Sequence, residues 1–408
     1  MNCRRCNAPL NRVLIDLGHQ PASNAYLTPD MLEHSEVYAP LKAFVCETCW
    51  LVQLPSYHRS DELFTPDYAY FSSVSPGWVE HARRYVEATI ARFHLTEKDW
   101  VVEVASNDGY LLQFFKDAGV PCTGIEPTTS TAAAARDKGI ESIERFFGVE
   151  LARELVAERG HASLTAANNV LAHVPNINDF AEGFSILLAP EGVATFEFPH
   201  LVNLIDECQF DTIYHEHYSY LSLTVVSQMF AEKGMRVFDV DKIPTHGGSL
   251  RIYLCLQEAQ THPETAAVSD LLQEEKEAGI STAEYYETFA PRAEKIKLDL
   301  VEFLIEQKKL GKSVAAYGAA AKGNTLLNYS GVHADLIDFV CDAAPSKQGQ
   351  FLPGSHVPIV HPSTLHERKP DFVLILPWNI RDEIVRQHGA IRDWGGRFVV
   401  AVPKLEIF

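Results

Sequence analysis

WVVEVASNDGYLLQFFKDAGVPCTGIEP (100–127) decides the fold. WVVEVA (100–105) is a short apolar run rich in β-branched residues, and SNDG (106–109) is a turn of small polar residues. YLLQFFKDAG (110–119) then carries apolar residues at helical spacing, and PCTGIEP (121–127) reads as a second strand. Strand, crossover helix and strand make a βαβ unit with parallel strands. Upstream, the spacing predicts a helix from Trp78 to Leu95. Downstream the alternation continues through helices 131–139 and 149–160, strand ASLTAAN (162–168), helix 177–190 and strand GVATFEFP (192–199). A helix over Thr224–Lys233 and the runs MRVFDVDKIP (235–244) and SLRIYLCL (249–256) are expected to add a hairpin-like edge to the same sheet. After a polar helical stretch the rhythm restarts with strand KSVAAYGA (312–319), helix KGNTLLNYS (322–330) and strands IDFVCD, HVPIV, DFVLILP and RFVVAVP. The expected class is α/β: a small N-terminal module (1–75), a doubly wound unit (76–262), a helical linker (263–310) and a second Rossmann-like unit (311–408).

The chain has 408 residues, and 35 Lys and Arg against 54 Asp and Glu give a net charge of −19. A general nucleic-acid binder needs a basic surplus, so that class is excluded. Hydrophobic residues at 46% and charged residues at 22% are ordinary for a globular protein, which disfavours a disordered scaffold. No run approaches the roughly 18 apolar residues of a membrane span. The N-terminal MNCRRCNAPLNRVL has no apolar core of a secretion signal. A soluble, cytoplasmic protein is the expectation. Eight cysteines are too few for a disulfide scaffold, but Cys3, Cys6, Cys46 and Cys49 form two C-x2-C pairs. Two such knuckles supply the four soft ligands of a tetrahedral Zn²⁺, and with no open position the metal is expected to be structural. Arg4 and Arg5 are expected to favour the thiolates.

Three further motifs carry chemistry. The turn after the first strand, with Glu103, Ala105, Ser106, Asn107 and Gly109, opens a helix N-terminus toward a ligand. It is not G-x-G-x-x-G, so a nicotinamide cofactor is disfavoured. Glu126 ends the second strand, where a carboxylate can grip ribose hydroxyls, and Asn168 and Asn169 end another. Together they are the layout of an S-adenosylmethionine (SAM) site. EFPHLVNLIDECQFDTIYHEHYSYLSL (197–223) packs His200, Tyr214, His215, Glu216, His217, Tyr218 and Tyr220 together. Extended geometry would set His215 and His217 on one face, opposite Glu216. H-E-x-x-H is absent, and the tyrosines suit proton transfer better than metal binding. Last, YGAAAKGNTLLNY (317–329) offers Gly318, Lys322 and Asn324 for phosphates, with packing of its alanines as the competing reading. THGGSLRIY (245–253) adds His246, Ser249 and Arg251 as anion donors.

These residues resemble a family. CRRC…CETC, YAYFSS, EVASNDGYLL, NNVLAHVPN, EFPHL…QFDTIYHEHYSYLSL, HGGSLR and YGAAAKGNTLLNY occur in the order found in zinc-containing sugar C-methyltransferases acting on nucleotide-linked 4-keto-deoxyhexoses. The resemblance implies SAM-dependent methylation at C3 through an enolate, and a C-terminal domain that helps hold a nucleotide-diphosphate deoxysugar. It makes His217 the base and sets Glu216, Tyr214, His173 and Tyr68 or Tyr70 around the sugar. His200, His215, Ser249, Arg251, Gly318, Lys322 and Asn324 are the remaining substrate-binding candidates. An O- or N-methyltransferase on another small molecule and a zinc-stabilised nucleotide-binding protein are the alternatives, and an NAD-dependent oxidoreductase ranks last. Oligomeric state is left open.

Overall fold

The computed structural model describes residues 1–57 and 71–408; Tyr68 and Tyr70 lie outside the described residues. At the N-terminus β1 (Arg12–Gln20) pairs antiparallel with β2 (Ala39–Val45), and β2 with β3 (Val52–Gln53). The fourth strand of this sheet, Ser219–Tyr220, arrives from far along the chain and pairs with β3. The N-terminal sheet is therefore completed by the strand just after YHEH, which a division at residue 75 does not anticipate.

Helix α1 (Pro76–Phe93), N-capped by Ser75, leads into the central sheet. Its strands are β4 (Val101–Val104), β5 (Cys122–Ile125), β6 (Glu141–Ile143), β7 (Ala162–Asn168), β8 (Leu188–Pro199) and, beyond β9 (Ser219–Tyr220), β10 (Met235–Ile243) and β11 (Ser249–Leu256). The order is β10-β11-β8-β7-β4-β5-β6. Neighbours from β8 to β6 are parallel, while β11 runs antiparallel to β8 and β10 to β11. The edge hairpin thus joins the sheet as the sequence suggested. β4 is buried along its whole length, as expected of a central parallel strand covered on both faces.

The polar stretch after residue 263 is two main helices. α2 (Ala266–Ala278) stops at Gly279, which takes a left-handed φ of +87°. α3 (Phe289–Lys309) then presents Phe289, Ala293, Ile296, Leu300 and Leu304 at helical spacing to a core shared with β1, β2 and the last sheet. That sheet holds β12 (Val314–Tyr317), β13 (Val340–Cys341), β14 (Ile359–Val360), β15 (Phe372–Ile375), β16 (Arg397–Val400) and β17 (Glu406–Ile407), in the order β14-β13-β12-β15-β16-β17. Numbered from β12 this is 3-2-1-4-5-6, the doubly wound order, with β17 antiparallel at the edge. β6 and β17 have two or three residues each, too short for a periodic signal in sequence.

Candidate functional site: a four-cysteine knuckle and a half-buried imidazole cluster

The four cysteine Sγ atoms lie within 4.8 Å of one another, with Cys3 to Cys49 at 3.6 Å and Cys6 to Cys46 at 3.5 Å. Ligands about 2.3 Å from a tetrahedral Zn²⁺ lie about 3.8 Å apart, so the donor set fits the ion. Cys3 is pulled down to about 4, chiefly by a hydrogen bond from the Cys49 thiol. Gln53 Nε2 also donates to Cys3 Sγ at 3.0 Å. Arg4 feels the Cys3 charge and the Arg5 backbone bonds Cys3, in line with the expectation, and both side chains also bond elsewhere. Arg5 pairs with Glu232 at 2.8 Å, and Arg4 donates to the Pro175 carbonyl at 2.8 Å and to the Leu54 carbonyl. They fasten the knuckle to the central unit, because buried guanidinium donors must find acceptors.

At the end of β4 the backbone turns through positive φ at Ala105, Asn107 and Gly109. Gly109 takes a φ of +73°, which favours glycine, and a Cβ there would also crowd the Ile140 Cδ1. Glu126, at the end of β5, accepts the Asn107 N–H at 2.9 Å on one oxygen and the Thr128 N–H at 2.9 Å on the other. From the segment before α1, Ser72 N–H donates to Asn107 Oδ1 at 2.8 Å and Ser73 Oγ to Asp108. Among the described residues, Glu103 Oε2, Ser106 Oγ, Asp108 Oδ1, Asn168 Oδ1 and the Asn169 amide are buried without a hydrogen-bond partner. Burial and the nearby Glu126, Asp108 and Glu197 push the Glu103 carboxyl well up. Unpaired polar atoms and crowded carboxylates suit a polar, cationic ligand, and SAM carries both a sulfonium and an ammonium group.

The segment 214–217 departs from the extended form. Residues 215–216 form a turn closed by His217 N–H to the Tyr214 carbonyl at 2.9 Å, so simple alternation does not hold. His215 Nε2 meets the Pro40 carbonyl at 3.2 Å, and Glu216 accepts Asn24 Nδ2 at 2.7 Å. The His217 ring turns toward Tyr214 and His173, with centroids 3.9 and 4.7 Å away. Its Nδ1 lies 2.8 Å from the Thr212 carbonyl. A carbonyl only accepts, so Nδ1 carries the proton and Nε2 keeps its lone pair. Burial, then the neighbouring His173, His246 and Lys322, hold His217 well below the usual imidazole range. Burial likewise lowers His173 and His246 to about 4.

Other candidates sit in protein contacts. His200 pairs with Glu275 at 2.7 Å, and Glu275 also caps the helix Leu223–Ala231 through the Leu223 and Thr224 N–H groups. Arg251 pairs with the buried Glu197 at 2.5 Å, and Ser249 Oγ donates to the Thr245 carbonyl at 2.8 Å. Asn324 Nδ2 donates to the Ser23 carbonyl at 2.6 Å. At Gly318 a Cβ would meet Pro377, and Tyr26 Oη and Lys347 Nζ both donate to the Ala319 carbonyl, so this turn is closed over by protein groups. Lys322 is lowered by burial, an effect Asp211 opposes, and its Nζ bonds Asn379 Oδ1 at 2.8 Å. A cleft of about 570 Å³ beside it is lined by Asn203, Gly247, Gly248, Trp378, Asn379 and Arg386, among others.

The sequence reading passed over Trp78, His81, Asp211 and Trp378. His81 bonds Glu197 at 2.8 Å, and Trp78 stacks on His81 at 4.8 Å while meeting the His246 ring edge-on at 5.2 Å. Trp78 and His81 stand three apart near the start of α1, on one face, which is the signal that was available.

A four-cysteine knuckle and a doubly wound unit whose first turn carries unpaired polar atoms are the parts expected of a zinc-containing SAM-dependent methyltransferase. Family models agree: a zinc binding domain matches residues 3–64, a methyltransferase domain 78–240, and a C-methyltransferase C-terminal domain 244–403. The chain is 36% identical over 402 residues to the C-methyltransferase NovU of Streptomyces niveus, covering 98% of this chain and 95% of that protein. It belongs to that C-methyltransferase family. Among solved structures, the magnesium protoporphyrin IX methyltransferase of Synechocystis PCC 6803 with bound SAH covers 44% of this chain and 82% of its own, at 13% identity and a TM-score of 0.35. A SAM-dependent methyltransferase from Anabaena variabilis covers 43% and 85%, also at 13% identity and a TM-score of 0.35. The family assignment rests on the sequence relatives. No helix among the described residues is long and apolar enough to cross a membrane.

Proposed function

We propose that the enzyme C-methylates a nucleotide-linked 4-keto-deoxyhexose at C3, with His217 as the base. The observation that carries this reading is the Nδ1–H bond to the Thr212 carbonyl, which leaves Nε2 unprotonated on a half-buried ring. A ketone at C4 acidifies the C3 hydrogen. Nε2 takes that proton, the C3–H electron pair becomes the enolate, and the negative charge rests on the C4 oxygen. Tyr214 and His173 are the donors assigned to that oxygen, since preorganised donors stabilise developing charge. SAM supplies the methyl electrophile, its sulfonium sulfur keeping the C–S electron pair as C3 takes the methyl group. Glu103, Ala105, Ser106, Asn107, Gly109, Glu126, Asn168 and Asn169 are assigned to hold SAM, with Glu126 on its ribose. The C-terminal unit and Lys322 are assigned to the nucleotide diphosphate. Glu216, steadied by Asn24, orients the turn that carries the base.

Wild-type enzyme given substrate deuterated at C3 and C5 should lose only the C3 label on methylation, as read by mass spectrometry. Retention at C3 with loss from C5, the other carbon beside the ketone, would move the methylated position and keep the base. Retention at both carbons would defeat enolate chemistry altogether.

A further inference from the structure

The C-terminal unit reaches into the segment that carries His217. Asp211 is fully buried in the single turn Phe210–Thr212, and its Oδ2 accepts the Trp378 indole N–H at 2.7 Å. Next to that turn, the Ile213 carbonyl accepts Thr325 Oγ1 at 2.9 Å. The Phe210 ring lies against Tyr329, with centroids 5.4 Å apart. Trp378, Thr325 and Tyr329 all belong to the C-terminal unit, and they grip three of four consecutive residues. The fourth is Thr212, whose carbonyl holds His217 Nδ1. A peptide carbonyl points where its flanking backbone directs it, so whatever fixes residues 210–213 also fixes the direction of the imidazole. The Trp378 ring is itself held in place, with Lys322 Nζ 4.7 Å above its centroid and Asn379 anchoring that ammonium.

We propose that Trp378, Asp211 and Thr325 are positioning residues, through which the docked C-terminal unit fixes the Thr212 carbonyl and thereby the tautomer and aim of His217. Proton abstraction is then available only when that unit is seated. The inference rests on the reading of His217 as the base.

Two reactions separate the ideas. Exchange of the substrate's C–H with deuterated solvent, without SAM, reads proton abstraction alone; steady-state kinetics with SAM reads the whole turnover. Trp378→Phe keeps an aromatic face for Lys322 and removes the N–H. Hydrogen bonds to buried charged groups are usually worth enough to change a rate by roughly ten- to a hundredfold. Exchange rate and kcat should therefore fall together by about that factor, with the KM for SAM and the zinc content unchanged. Thr325→Val should do the same to a smaller extent, and it carries the test if Trp378→Phe fails to fold. Wild-type exchange in a folded variant of this pair, alongside a dead His217→Asn, overturns the clamp and leaves the base standing. Loss of SAM affinity in step with exchange also overturns it, because that pattern means general loosening. Exchange persisting in His217→Asn instead removes the base on which the clamp acts.

Discussion

His217, His173 and His246 lie close enough for their charges to interact, and burial makes the neutral form the favoured one for all three. An exposed imidazole would be mostly protonated below about pH 6.5, whereas His217 stays a free base there. The acid limb of kcat/KM is therefore expected below pH 6.5. Stability follows the same linkage. An imidazole whose folded value is lowered contributes stability that is present above the unfolded value and lost as pH falls toward the folded one. For His173, lowered to about 4, the window runs from about pH 6.5 down to 4. His173→Asn removes that proton uptake. Its stability relative to wild type should rise across that window by up to about 3 kcal/mol, read by denaturation at several pH values. A constant difference would mean that His173 titrates as though exposed. Glu126 is a different case, because its two oxygens already accept the N–H groups of Asn107, in the loop proposed for SAM, and of Thr128. Glu126→Ala should weaken SAM binding well beyond tenfold and also cost about 1–3 kcal/mol of stability by orphaning the Asn107 N–H. Calorimetry showing unaltered SAM affinity would remove the ribose assignment.

Among the elements, the two Rossmann-like units share one device. Asp342, just past β13, accepts the Ala319 N–H at 2.7 Å and the Ala344 N–H at 2.8 Å. Glu126, just past β5, makes the same pair of bonds, so each unit ties its first turn to the end of its second strand by one carboxylate. In the first unit polar atoms beside the loop are left unpartnered; in the C-terminal unit Tyr26 and Lys347 close over the turn instead. The His246–Gly248 turn is a second such element. All three residues have positive φ, and a Cβ at Gly248 would collide with the Asn203 amide. Gly248→Ala should cost about 1–3 kcal/mol and lower kcat, whereas Gly311→Ala, at φ +69° with open space around it, should cost about 1 kcal/mol and leave kcat alone. Equal losses in the two variants would mean that backbone strain, not the close approach, governs both.

At the scale of the molecule, the cysteine knuckle and the segment that carries His217 are mechanically joined. β3 leaves the knuckle through Gln53, which holds Cys3 Sγ, and pairs with β9, whose first residue is two beyond His217. Leu54 N–H continues the contact by bonding the Tyr218 carbonyl at 3.0 Å. Zinc removal or Cys46→Ser should therefore lower kcat in proportion to zinc lost, although no zinc position is open for chemistry. SAM affinity should be largely retained, since its proposed loop hangs from β4 and β5. Full activity in a folded, zinc-free protein would break the connection.

Local information was enough for the knuckle, the βαβ alternation and the edge hairpin, because ligand spacing and hydrophobic period are written within a dozen residues. The same is true of the loop at 103–109 and the polar cluster at 214–217. What the chain could not disclose locally is how distant side chains pair. Arg251 and His200 read as free donors until Glu197 and Glu275 are seen beside them. Asp211 and Trp378 look like ordinary residues 167 positions apart until folding joins them. YHEH reads as a strand until the turn at 215–216 and the Thr212 carbonyl give His217 its tautomer. Burial decides in each case: a polar group removed from water must find a partner, and only the tertiary structure names it.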